Sequence, residues 1–415
     1  MSYKKVLIGW LFVSLVLFLI INLPTPLKIE GDGVFYYSWL RSAWFDRDFD
    51  FYNELQYFSA YDVGSKWMLD TNFRTHIGQV PNSYAYGTAL LWLPFFLLAH
   101  LLSFLFSLPI NGYSVLYVFF VNLASWLFGW GAFLIIYLNL KKFFSQPAAF
   151  WSALGIYLAT PFVYYQFFEP SMSHSASLFI VTLFFHYLIK LYQNQPINFW
   201  LLALIIFLMV AVRWQNLLFL ITLAPIFFDS LNNLKLTVKK IISILIPVLI
   251  FWLTQLLLWK QLYGYYFLQP QGRGFIRPEF HGLYILLASN RGLLLWSPIL
   301  ILALTGFYWL SKKSQFLFFI ALSAFLVQWL INGSLNDLGG GDAFGARRFM
   351  ETLPFLSLAL SALWEKIKIK KLIWLITIIF IFWNLVLIQN YRYGNIPHYG
   401  DFNVLKINYL SGIIK

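Results

Sequence analysis

Apolar stretches near 6–23, 113–140, 147–168, 172–192, 199–212, 215–229, 241–259, 292–310, 315–331, 349–364 and 372–390 run through the chain. Most approach the roughly 20 residues that a helix needs to cross about 30 Å of hydrocarbon. With 60% hydrophobic and only 11% charged residues over 415 positions, so much apolar surface cannot be hidden inside a water-soluble globule. The expected fold class is therefore an all-α polytopic membrane protein with about eleven transmembrane helices. Aromatic residues make up 21% of the chain, which suits membrane interfaces and lipid-facing surfaces and by itself says nothing about ligands. The absence of cysteine excludes disulfides, thiolate metal sites and cysteine nucleophiles. Val6 to Leu23, behind Lys4 and Lys5, exceeds a typical signal-peptide core and lacks a small-x-small cleavage pattern, so it reads as an uncleaved first membrane helix.

The net charge of +13 is carried largely by lysines in short clusters beside apolar segments, a pattern of cytoplasmic anchoring and not of nucleic-acid binding. Gly87 to Leu108 is also apolar enough to span, yet if it did, Lys141 and Lys142 would fall outside. If it lies instead as an interfacial or re-entrant helix, Lys4, Lys5, Lys141, Lys142, Lys235, Lys239, Lys240, Lys312, Lys313 and the run Glu365 to Lys371 all become cytoplasmic. That assignment puts the amino terminus inside, in the plasma (inner) membrane of the cell. It also sorts every arginine, and every acidic residue except Asp229 and Glu365, to the outer side. Guanidinium groups pair bidentately with phosphate and carboxylate, so arginines collected outside point to chemistry there. With no internal repeat, residues 1–415 read as one membrane domain. Its outer segments are 24–112, 260–291 and 332–349.

Several constellations lie on that outer face. Asp32, in Glu30-Gly31-Asp32-Gly33, and the group Asp46-Arg47-Asp48 are placed just outside a membrane helix. They suit removal of a proton from an acceptor or the holding of a metal ion; equally, Asp32 can be an N-cap for a helix from Val34, and Asp46 to Asp50 a solvated turn. Glu169 and His174, in Phe168-Glu169-Pro170-Ser171-Met172-Ser173-His174, sit at a membrane edge where a polar pair can orient a head group, or simply support the next helix. Arg213 interrupts an apolar region and is either functional or snorkelling to the interface. Arg273 in a glycine-bearing turn offers an anion nest, and Arg291 follows it. The most specific signal is Gly341-Asp342-Ala343-Phe344-Gly345-Ala346-Arg347-Arg348, where two arginines open a helix and can grip a phosphate.

Together these segments resemble the GT-C glycosyltransferases, in particular the bacterial members related to protein O-mannosyltransferases and to the aminoarabinose transferase of lipid A. The resemblance rests on Gly31-Asp32, Arg47-Asp48, Val80-Pro81-Asn82-Ser83-Tyr84 leading into Gly87 to Trp92, the Phe168 to His174 run, Pro270-Gln271-Gly272 and the Gly341 to Arg348 run. It covers most of the chain, and it departs from the family where Pro81-Asn82-Ser83 replaces the common Pro-Pro-Gly. It implies transfer of a sugar from a polyprenyl-phosphate donor to an extracytoplasmic acceptor, usually with inversion, and interfacial helices in the first outer segment. It also implies an essential carboxylate in that segment, carried over to Asp32. On this reading Asp46 or Asp48 assists, Arg273, Arg291, Arg347 and Arg348 meet the donor phosphate, and Glu169, His174, Arg213 and Asp342 contact substrate. The acceptor is a protein, lipid or polysaccharide, nucleic acid is no partner, and no motif identifies a metal or other cofactor. The rival classes are a flippase or other transporter of lipid-linked oligosaccharide and an O-antigen-type polymerase or ligase.

Overall fold

In the computed structural model, residues 3–23, 28–230, 234–266, 275–398, 400 and 402–407 are described. Their regular secondary structure is helical, with a single isolated bridge between Ile276 and Leu335 and no sheet among them. The order is α1 (Tyr3–Asn22), α2 (Asp32–Arg41), α3 (Tyr52–Phe58), α4 (Val63–Asp70), α5 (Gly87–Leu105), α6 (Val115–Leu140), α7 (Gln146–Leu158), α8 (Phe162–Phe167) and α9 (His174–Tyr192). Then come α10 (Phe199–Val212), α11 (Ala224–Ser230), α12 (Leu234–Tyr263), α13 (Gly282–Leu287), α14 (Leu293–Trp296), α15 (Ile299–Lys313), α16 (Gln315–Gly333), α17 (Leu353–Lys366) and α18 (Lys370–Arg392).

Seven helices among the described residues are long and apolar enough to cross a membrane: α1, α5, α6, α9, α12, α16 and α18. By helix length and hydropathy this is a multi-pass membrane protein. Six of them coincide with expected spans. The other five expected spans are occupied by shorter helices, for identifiable reasons. Thr160-Pro161 divides 147–168 into α7 and α8, and Ser297-Pro298 separates α14 from α15. Proline lacks an amide hydrogen and clashes with the preceding turn, so continuous hydropathy does not secure a continuous helix. At Arg213 the backbone becomes extended (φ −150°, ψ 120°), dividing α10 from a 3₁₀ helix at Trp214–Leu223. The 349–364 stretch begins as 3₁₀ helix at Arg347–Thr352 and becomes α17 only at Leu353.

The seventh, α5, is the segment expected to lie in the interface. Its packing sets it apart from the main bundle. One buried cluster joins α7, α9, α15, α16, α17 and the half of α6 from Trp126 to Leu140. A second joins α2, α3, α5, the first half of α6 (Tyr117, Val118, Val121, Ala124) and the end of α12 (Trp259, Leu262, Tyr263). Within it α5 runs antiparallel to the start of α6: Trp92 Nε1 donates to Ser125 Oγ at 3.0 Å, and His100 lies 2.8 Å from the Tyr117 hydroxyl. Gly87, at the other end of α5, abuts the backbone of Ala211 and Val212 so closely that a Cβ there would come within 2.2 Å. At 1.5 Å per residue, the 26 residues of α6 and 30 of α12 extend about 39 and 45 Å. These two helices outreach the bundle and carry the second cluster as a lobe at its end.

Candidate active site

Where the lobe meets the bundle, four segments converge: the start of α2, the connector between α8 and α9, the end of α10, and the 332–349 loop. Gly31 takes φ +57°, a left-handed backbone open to glycine, and its amide donates to Asp62 Oδ1 at 2.7 Å. Asp62 also caps α4 through the amide of Ser65. Two turns of chain are thus fastened by one carboxylate, which fixes the entry to α2. Gly33 then lies against Ser171, where a Cβ would stand 2.7 Å from the Ser171 carbonyl oxygen, and Ser173 Oγ donates to the Tyr36 hydroxyl oxygen at 3.0 Å.

Asp32 is the first residue of α2, and its side chain does not cap the helix. Its Oδ1 accepts from the Tyr84 hydroxyl at 2.8 Å, and its Oδ2 lies 3.1 Å from Nη1 of Arg347. The N-cap alternative is thereby set aside: this carboxylate faces across the site. Burial, and then the charge of Asp32, hold the Tyr84 hydroxyl protonated far above its usual range, so it serves Asp32 as a donor. Burial disfavours the charge on Arg347, but Asp32 and then Tyr165 and Tyr84 outweigh it, leaving a firmly charged guanidinium. Arg347 Nη2 donates to the Gly340 carbonyl at 2.9 Å, while Nη1 has no hydrogen-bond partner among the described residues.

Glu169 accepts from the Tyr164 hydroxyl at 2.7 Å through Oε1, and its Oε2 is buried with no hydrogen-bond partner among the described residues. Burial raises its pKa; the Tyr164 bond and Arg347 oppose this, leaving it at about 7. Asp342 takes the Tyr391 hydroxyl and lies 3.1 Å from His398 Nδ1. Arg213 Nη1 reaches His174 Nδ1 at 2.8 Å and Glu351 Oε1 at 3.2 Å. The expected substrate residues therefore surround the same cluster, but each already holds a protein partner.

The arginines divide by task. Arg348 pairs with Asp337 at 2.8 Å, and Arg291 donates to the carbonyls of Ala343 (2.7 Å) and His398 (2.6 Å), bracing the loop. Both, with Arg347, Asn332 and Gly340, line one narrow cleft. Arg273 lies outside the described residues. Asp46 and Asp48 are not brought to Asp32: the length of α2, about 15 Å, lies between. Asp46 pairs with Arg41 and accepts from Asn53 at 2.8 Å, beside buried Glu54, while Asp48 accepts from Ser42 Oγ at 2.9 Å. A cavity of about 320 Å³ opens by this corner of the lobe, walled by Trp39, Trp44, Phe49, Tyr86, Leu90 and Leu258 among others.

The chain matches no protein-family model and no curated protein sequence. Function has to be read from the site itself.

Tyr84, Tyr164, Tyr391, Asp337, Glu351 and His398 are site residues that the sequence reading missed. Tyr84 alone carried a signal, inside the Val80 to Tyr84 run. Among the described residues, no three His, Asp or Glu side chains are grouped so as to hold a metal ion.

Proposed function

We propose that the protein is a membrane glycosyltransferase of the GT-C type, moving a sugar from a polyprenyl-phosphate donor to an acceptor outside the cytoplasm. The observation that carries this reading is the meeting of Asp32 with Arg347, which joins the carboxylate of the first outer segment to the arginine-lined cleft of the third. In the reaction the acceptor oxygen attacks the anomeric carbon from the face opposite the phosphate. Asp32 takes the acceptor's proton, the bond from the anomeric carbon to the phosphate oxygen breaks, and polyprenyl phosphate leaves with the bonding pair. Arg347 and Arg348 stabilise the charge gathering on that phosphate, a role for which fixed guanidinium groups need no reorganisation. Inversion follows from the single displacement.

The packing of α5 supports the topology on which this depends. Its Gly87 end meets the Arg213 end of α10, and its other end leads into the start of α6. One end thus lies at the level of the site and the other at the start of α6, which fits a helix that stays on the outer side, with about eleven crossings formed by the remaining long helices and the shorter apolar ones. The break at Arg213 is also the kind of interruption found in transporters, which makes translocation of a lipid-linked sugar the second reading.

The deciding experiment incubates the purified protein in proteoliposomes with radiolabelled polyprenyl-phosphate sugars and candidate acceptors. Glycosyl transfer predicts release of free polyprenyl phosphate, abolished in Asp32→Asn. Movement of intact lipid-linked sugar between leaflets without that release would instead indicate a flippase.

A further inference from the structure

From the position of Arg347 between Asp32 and the arginine-lined cleft, we infer that the donor's phosphate group takes over this guanidinium and thereby frees Asp32 to act as base. The inference rests on the function proposed above and adds an order of events to it. Arg347 borders both places at once. Its Nη1 faces Asp32 Oδ2 at 3.1 Å, and the same side chain lines the cleft with Arg291 and Arg348.

Both oxygens of Asp32 are engaged within the protein, one by Tyr84 and one by Arg347. Neither oxygen of this carboxylate faces an acceptor hydroxyl without a protein partner already on it. The donor's phosphodiester carries one negative charge, as Asp32 does, but in the cleft it meets Arg348 and Arg291 as well as Arg347, and its charge disfavours keeping a second anion at the same guanidinium. Arg347 can answer this call because Nη1 is close to Asp32 without a hydrogen bond, so the contact is ionic and misaligned. Its remaining tie, to the Gly340 carbonyl, belongs to a loop with left-handed glycines at 340, 341 and 345, where the backbone accepts turns closed to other residues. The consequence is a site that is inert toward acceptor until donor is seated.

The exchange makes an unusual prediction, because it casts the base as a competitor of the phosphate. Equilibrium binding of polyprenyl phosphate, and separately of inorganic phosphate, is measured in nanodiscs for the wild type, Asp32→Asn, Tyr84→Phe and Arg347→Gln. Asp32→Asn should bind roughly tenfold tighter while losing transfer, since about 1.4 kcal/mol of ion pairing no longer has to be surrendered. Tyr84→Phe, which keeps the carboxylate, should show no such gain, and Arg347→Gln should bind weakly. Asp32→Ala serves as the second charge-removing variant if the amide fails to assemble. Tightening toward polyprenyl phosphate alone, or toward inorganic phosphate as well, supports the exchange and tells whether the apolar chain takes part. Equal or weaker binding by both charge-removing variants overturns the exchange while leaving the transferase reading standing. If the wild type binds no polyprenyl phosphate at all, both fall.

Discussion

Nη1 of Arg213 lies 2.8 Å from Nδ1 of His174, and because a guanidinium only donates, that imidazole nitrogen accepts. His174 is therefore neutral, with its proton on Nε2. The pair holds the break between α10 and the 3₁₀ helix against the start of α9, and fully buried Glu351 balances the charge.

This arrangement ranks three substitutions. His174→Asn keeps an acceptor near the place of Nδ1 and should be tolerated better than His174→Ala, which removes it at a cost of about 1–3 kcal/mol. Glu351→Gln leaves the half-buried Arg213 guanidinium without its counter-charge and should be the most damaging, at about 3 kcal/mol. Thermal unfolding in detergent, followed by size-exclusion survival, reads the order; a Glu351→Gln protein as stable as wild type would contradict it.

At Gly33, substitution by alanine places a methyl group 2.7 Å from both the carbonyl oxygen and the Oγ of Ser171. The start of α2 must move, and Asp32 moves with it. Since an error of about 1 Å in a reacting group can cost on the order of a hundredfold in rate, Gly33→Ala should lose most transfer while remaining folded. Adding Ser171→Gly removes the Oγ but leaves the carbonyl, so the double variant should recover activity only in part.

Glu169 should give the protein a pH signature. Its folded pKa of about 7 lies above the ordinary carboxylate value because burial penalises its charge. The native state therefore holds the proton more tightly than the unfolded chain does, and stability falls as pH rises from the ordinary carboxylate range through about 7. Glu54, raised by burial to about 8 despite Arg41, adds a second decline that reaches slightly higher pH. Melting temperatures between pH 5 and 9 should flatten in Glu169→Gln over the lower part of this range and in Glu54→Gln over the upper. An unchanged profile in both variants would show that these carboxylates titrate normally.

The two carboxylate groups of the first outer segment should separate cleanly by assay. Asp46→Asn weakens a partly exposed pair with Arg41, worth about 1 kcal/mol or less, and should leave the rate per folded molecule near that of wild type. Asp32→Asn removes the counter-charge of buried Arg347 and should cost about 3–5 kcal/mol of stability, while the molecules that remain folded show no transfer. A catalytic defect in Asp46→Asn at full folding would return that residue to the site.

The membrane character and six of the long helices were legible from hydropathy, because lipid imposes a length and a composition on each crossing. The breaks were less visible: apolar residues continue straight across Pro161 and Pro298, so an average over the segment does not register them. In the site, Asp32, Glu169, His174, Arg213, Asp342, Arg347 and Arg348 were recognisable as charges in an apolar chain and do gather in one region. Asp46 and Asp48 looked no different on the page, since what separates them from Asp32 is the length of α2 and the presence of Arg41. Tyr164 and Tyr391 were hidden among 25 tyrosines, where no single hydroxyl announces its carboxylate partner.

The unequal length of the helices has one more consequence. At about 39 and 45 Å, α6 and α12 are longer than the roughly 30 Å of hydrocarbon a crossing needs, and α5 offers Leu98, Leu101 and Phe104 as an apolar outer surface on the part remote from its Gly87 end. Hydrophobic mismatch should act on this surface: a thicker bilayer covers it with acyl chains, a thinner one leaves it to water, and the tilt of the long helices should follow. On the function proposed above, lipid composition should then alter how far a head group travels to reach Asp32, which would make the membrane itself a participant in substrate access.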